Sequence, residues 1–229
     1  MLNSKVLVYQ TMYASIIVQI LTSVISLHGF FVKVDPSDQI LKGVLGIETL
    51  VQFVETFTYI WIIMTIHRVD NMTPRRYFDW AITTPIMLIS TIIYMDYISD
   101  KETNETTNKT LMEFYDENKG DIFKLFIYNG LMLLFGYLGE KRIISKHIGI
   151  PLGFVFFFLS FHLIYTKYAY KSHSGKNLFY FVFIVWFMYG IAAMFNPIRK
   201  NISYNMLDIV AKNFYGLYIY YKILQLRIK

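Results

Sequence analysis

Two short stretches place charge where an apolar chain should carry none. "RRYFDWAITTP", residues 75 to 85, sets Arg76, Asp79 and a pair of threonines at the head of an apolar run, and "NMLDIVAKNFYGLYIYY" holds Asp208 and Lys212 near its middle. A charged group inside a bilayer costs about 3 kcal/mol or more unless it is paired or hydrated, so each is a functional candidate. Lys212 is the most expensive, with about ten residues of helix on either side, too far from either end for its stem to reach water. Asp208 lies four residues earlier on the same helix face; Asp79 and Thr83 share a face in the same way, with Arg76 one turn nearer the outer surface. Two carboxylates and one guanidinium suit a permanently charged centre. A lysine condensed with an aldehyde as a protonated Schiff base is such a centre, because its cation needs counterions.

The elements that must hold these groups follow from hydropathy. More than half of the 229 residues are hydrophobic, and apolar stretches of about 18 to 25 residues are long enough to cross a bilayer as helices. Spans are expected over 6–32, 39–65, 76–98, 122–139, 148–166, 177–196 and 202–224, which makes residues 1–229 a single domain: an all-α membrane protein built as a seven-helix bundle. The first span lacks a small-residue cleavage site after a short apolar core and reads as a retained helix. Cysteine is absent, which excludes disulfides, thiol catalysis and cysteine metal sites. Lys and Arg counts in the connections favour, by a small margin, an extracellular N-terminus and a cytoplasmic C-terminus. The net charge of +6 is spread over both sides and carries no nucleic-acid signal. "SDKETNETTNKTLMEFYDENKGD" reads as a polar, flexible connector, and its sequons at Asn104 and Asn108 would report which side it occupies.

"RYFDWAITTP" and "LDIVAK" resemble the third and seventh helices of microbial rhodopsins, retinal proteins of the bacteriorhodopsin type, and the resemblance covers all seven spans. It implies all-trans retinal bound covalently to Lys212 as a protonated Schiff base. Asp79 then stands as primary counterion and proton acceptor with Thr83 beside it, Asp208 as second counterion, and Arg76 as the outer-side arginine. It also implies a pocket walled by Trp80, Thr84, Trp186 and Tyr189, with Met132 and Gly136 near the ionone ring and Phe157 where many relatives have tryptophan. No metal is implied.

The chain departs from the proton-pump pattern. The cytoplasmic donor carboxylate of the family falls at Ser90, the carboxylate often used for proton release falls at Lys200, and Gly190 and Ala193 replace a bulky aromatic and a proline of the sixth helix. The second span instead carries Glu48, Gln52, Glu55 and Tyr59 as one polar stripe. The seventh has Asn201, Asn205, Asp208 and Lys212, and the first Ser15, Gln19 and Ser23. Three facing stripes would line a hydrated cation path; the other reading is that they hydrogen-bond one another as interhelical glue. Glutamates at this spacing resemble the channelrhodopsins, and more closely the light-gated cation channels of large algal viruses. On that resemblance Glu48 and Glu55 are constriction residues with Ser15 and Asn205 as partners, and Thr84 with Asn129 mimics a polar pair that influences channel closing.

The expectation is a retinal photoreceptor acting as a light-gated cation channel, not an enzyme, with a light-driven outward proton pump or a sensory rhodopsin as alternatives. Its partners would be membrane lipid, transported cations or protons, and further copies of itself in a homo-oligomer.

Overall fold

The computed structural model describes residues 2–103 and 109–228, and these are helical almost throughout. Lipid offers no hydrogen bonds, so an apolar chain that must cross it closes its backbone bonds within each segment. The helices are α1 (Leu2–Gly29), α2 (Gln39–Thr65), α3 (Met72–Glu102), α4 (Leu111–Glu140), α5 (Lys146–Lys167) and α6 (His173–Ala193). The seventh rod runs without a break through α7 (Pro197–Asp208), a π-helical stretch (Ile209–Phe214) and α8 (Tyr215–Gln225). Neighbours in sequence pack side by side, and α1 touches both α2 and the seventh rod, which closes the ring of seven. Among the described residues six helices are by themselves long and apolar enough to cross a membrane. The seventh rod falls outside that set because the π stretch separates it into α-helical parts of 12 and 11 residues, each too short to cross by itself.

Caps fix where the rods begin. Ser172 accepts from the Gly175 amide at the head of α6, and Asn196 accepts from the Arg199 amide at the head of α7, with Pro197 in the first turn where a missing N–H costs nothing. The expected connector between the third and fourth spans is largely helical. α3 continues to Glu102, and α4 starts at Leu111, eleven residues before the apolar run at 122. A capping box accounts for the early start: the Thr110 hydroxyl accepts from the Glu113 amide while the Thr110 amide donates to Glu113 Oε2 at 2.7 Å. The sequon residue Asn104 and its neighbour Asn108 lie outside the described residues.

Two kinds of interior result. Apolar side chains such as Leu41, Val44, Ile92, Phe161 and Ile219 form a core at the end of the bundle bearing the α1–α2 and α3–α4 connections. The centre and the α1–α2–α7 side hold fully buried polar groups, while Ile17, Leu21, Val24, Phe57, Met64 and Phe123 face outward. A chain that buries charge and exposes large apolar residues on its outer faces requires lipid around it.

Candidate functional site

Lys212 sits within the π-helical stretch, where the backbone gives up the regular four-residue bonding pattern; such turns recur at functional sites because they swing side chains off the α-helical register. Its Nζ donates to Asp79 Oδ2 at 2.8 Å and lies 3.6 Å from both Glu55 Oε1 and Asp208 Oδ1. Three carboxylates from α2, α3 and the seventh rod therefore surround one ammonium, and none of the four side chains is more than 2% exposed. Glu55, expected along an ion path, is part of this cluster.

Arg76 supplies the second cation of the cluster. Its guanidinium donates to Asp208 Oδ2 at 3.1 Å, to the Tyr59 hydroxyl at 2.8 Å, to Asn201 Oδ1 at 3.2 Å and to Asn205 Oδ1. Asp208 also accepts from Tyr59 on Oδ2 at 2.5 Å and from Tyr189 on Oδ1 at 2.7 Å. Its charge is thus shared among several donors, as a buried carboxylate demands. Asp79 is different: Oδ2 has Lys212, and Oδ1 has no hydrogen-bond partner among the described residues. Neither oxygen of Glu55 has one. Thr83, expected beside the Asp79 carboxylate, instead donates its hydroxyl to the Asp79 backbone carbonyl at 3.0 Å, the local bond that a helical threonine makes to the preceding turn.

A cavity of about 120 Å³ opens from Lys212 across the bundle. All eight residues expected around the chromophore, Lys212, Trp80, Thr84, Met132, Gly136, Phe157, Trp186 and Tyr189, line it. Glycines give it room: a Cβ at Gly136 would stand 2.7 Å from the Tyr77 hydroxyl, and one at Gly190 would run into the Phe154 ring. Trp80 packs edge-on against Tyr77, Tyr189 and Tyr204, which holds its indole in place against the cavity. Asn129 donates to the Thr84 hydroxyl at 2.9 Å, joining α4 to α3 behind the wall.

Beyond Lys212 a polar seam runs between α1, α2 and the seventh rod. Gln52 accepts from Thr22 at 3.2 Å and Ser23 at 3.1 Å, Asn213 donates to Thr22 at 3.0 Å, and Ser90 on α3 donates to Glu48 Oε1. All six of these side chains are at most 4% exposed. The seam leaves hydrogen-bonding capacity unspent: Gln19 Oε1, Glu48 Oε2, Gln52 Nε2 and Asn213 Oδ1 have no partner among the described residues. The expected set Ser15, Glu48, Glu55 and Asn205 is not one cluster. Ser15 accepts from Gln19 at 3.0 Å, whereas Asn205 turns away towards Arg76 and donates to Thr11 and to the Val8 carbonyl. An amide beside a guanidinium is drawn to that charge, and Asn205 has no reach left for α2.

Sequence reasoning passed over Tyr204, Gly153 and Phe154 as cavity residues and placed Tyr59 on the polar stripe of the second span, whereas its hydroxyl joins Asp208 and Arg76. Tyr204 had a signal, standing four residues before Asp208 and eight before Lys212 on one helix face.

A family model described as bacteriorhodopsin-like protein matches residues 10–226. Over 213 residues the chain is 24% identical to a green-light absorbing proteorhodopsin of Gamma-proteobacterium EBAC31A08, covering 83% of this chain and 78% of that protein. Among solved structures it is similar to viral rhodopsin OLPVRII, with a TM-score of 0.80 and 27% identity over 97% of this chain and 100% of the other. It shares its fold with Exiguobacterium sibiricum rhodopsin, with a TM-score of 0.73 and 18% identity over 97% and 98% of the two chains.

Proposed function

The chain belongs to the bacteriorhodopsin-like family, the microbial type 1 rhodopsins, and on that premise we propose that it is a retinal-binding, light-gated cation channel in which Lys212 carries the chromophore. The chain acts as one unit in the membrane, with its N-terminus outside. The residues present fit retinal: an amine at one end of an apolar cavity, aromatic walls at Trp80, Trp186 and Tyr189, and glycine-built space at Gly136 and Gly190. When bound as the all-trans protonated Schiff base, retinal supplies light absorption and an isomerisation that displaces the charge at Nζ.

The residues around Nζ do the rest. Asp79 holds the cation through Oδ2 and accepts its proton there. Tyr59, Tyr189 and Arg76 hold Asp208 in place through their hydrogen bonds, so the second carboxyl group stays fixed when the first takes the proton. Loss of the Lys212 to Asp79 pair frees Glu55, 3.6 Å away, to turn towards the seam. The observation that carries the channel reading is the run of buried, unspent polar atoms on α1, α2 and the seventh rod, from Glu55 through Gln52 to Glu48. Buried polar atoms call for water, and a hydrated seam lined by carboxylates favours cations over anions.

Whole-cell voltage clamp with retinal present tests the proposal. Light-evoked current that reverses with voltage and follows the cation gradients is expected, and Glu55→Gln is expected to change its selectivity or size. A current that stays outward at every voltage would replace the channel with the pump. That second reading rests on one contact: Ser90, standing where the family has its donor carboxylate, donates to Glu48, so α2 brings a carboxyl group to the same spot.

A further inference from the structure

Lys200 has no part in the mechanism above, yet it is 1% exposed at the start of the seventh rod. A buried ammonium without a partner is costly, and α4 supplies one. Lys200 Nζ donates to Glu140 Oε2 at 2.6 Å, and Lys146 Nζ donates to the same oxygen at 3.1 Å. The three residues come from the end of α4, the start of α5 and the start of α7, at the face that also carries the α2–α3 and α6–α7 connections.

One helical turn inward from each stands a residue of the cavity wall: Gly136 four before Glu140, Ile150 four after Lys146, and Tyr204 four after Lys200. Tyr77 fills the space between, its hydroxyl against Gly136 and its ring edge-on to Tyr137 and Trp80. The ion cluster therefore lies directly over one end of the cavity that leads to Lys212. A single carboxylate holds two cations there, so the closure depends on one group. Lys146 is 38% exposed and is free to swing into water.

We infer that Glu140, Lys200 and Lys146 form an electrostatic cap over the chromophore cavity, and that the cap sets how fast small polar reagents and the retinal aldehyde reach Lys212. The inference rests on the reading of Lys212 as the attachment point, but it holds for a channel, a pump or a sensor alike.

Two rates measured in darkness test it: pigment formation on adding retinal to the full-length apoprotein, and bleaching of the pigment by hydroxylamine, which displaces the Lys212 amine from the Schiff base and leaves with the retinal as its oxime. Glu140→Gln leaves two ammonium groups without their shared carboxylate. Both rates should rise roughly tenfold with the absorption maximum unmoved, as loss of about 1.4 kcal/mol of closure energy would give. Glu140→Asp should bring them most of the way back, and Lys146→Met should give a smaller rise. Wild-type rates in every variant that forms pigment would overturn the cap, as would a shifted maximum, which would mean that the cluster acts on the chromophore's charge. If Glu140→Gln forms no pigment, Lys146→Met decides alone. A wild-type chain that never colours would instead remove the Lys212 reading itself.

Discussion

Replacing Asp79 by asparagine separates the roles of the two aspartates at Lys212. Asp79 Oδ2 stands 2.8 Å from Nζ and Asp208 Oδ1 stands 3.6 Å away. At an effective dielectric constant of about 20 these distances correspond to attractions of about 6 and about 5 kcal/mol. The bare numbers are close, but their surroundings are not. Arg76 lies 3.1 Å from Asp208, an attraction of the same size, and two tyrosine hydroxyls also draw on that carboxylate. Asp79 has no such competitor, so of the two aspartates it contributes the larger share of the field at Nζ. Excitation of a protonated Schiff base moves positive charge away from the nitrogen. An anion beside the nitrogen therefore stabilises the ground state more than the excited state, and its removal narrows the gap. Asp79→Asn should move the absorption maximum to the red, and clearly further than Asp208→Asn, with the lost attraction of about 6 kcal/mol as the ceiling. The assay is the dark absorption spectrum of purified pigments at one pH. An unmoved maximum in Asp79→Asn, or a larger shift in Asp208→Asn, would refute the assignment of the dominant counterion.

Three further outcomes are expected. Tyr59→Phe leaves Asp208 Oδ2 with Arg76 alone and Arg76 short of one acceptor; it should lower stability by about 1–3 kcal/mol in detergent unfolding, with pigment still formed. Gly190→Val drives a branched side chain into the Phe154 ring and the cavity; overpacking of about 1–3 kcal/mol should reduce pigment yield on titration with retinal, where an unchanged yield would mean that the ring end has spare room. Thr110→Ala removes the capping box at the head of α4; it should cost about 1 kcal/mol in thermal unfolding and leave the absorption spectrum alone.

The charged groups that meet at Lys212 were legible in the sequence rod by rod because their signals are local. Asp208 and Lys212 share one rod, Arg76, Asp79 and Thr83 share another, and three- and four-residue spacings alone put each set on one face. What the sequence does not contain is the offset between rods. That Glu55 rather than Glu48 reaches Lys212, and that Glu48 reaches Ser90, depends on how far α2 slides against α3 and the seventh rod, which is settled by packing all along their lengths. The same holds for Glu140 against Lys200, sixty positions apart in the chain. The early start of α4 is a different kind of miss. Its signal, a threonine with a glutamate three residues on, was present at Thr110 and Glu113 and was hidden by the polar composition around it.

Glu55 joins the two halves of the molecule. It belongs to the ring of carboxylates around Lys212 and is also the first residue of the seam that continues through Gln52 to Glu48. The ring holds three carboxylates against two cations, Lys212 and Arg76. Asp208 is tied by Arg76, Tyr59 and Tyr189, and Asp79 is tied by Lys212, so the carboxyl group least bound to its place is Glu55, whose oxygens carry no hydrogen bond among the described residues. Any change in charge at Nζ therefore has its freest response on α2, at the head of the seam. A pump needs that response to stay within the ring, so that one proton moves in one direction. A channel needs it to spread along the seam and admit water. The contrast between Glu55→Gln and the wild type under voltage clamp is therefore a direct reading of which of the two this arrangement serves.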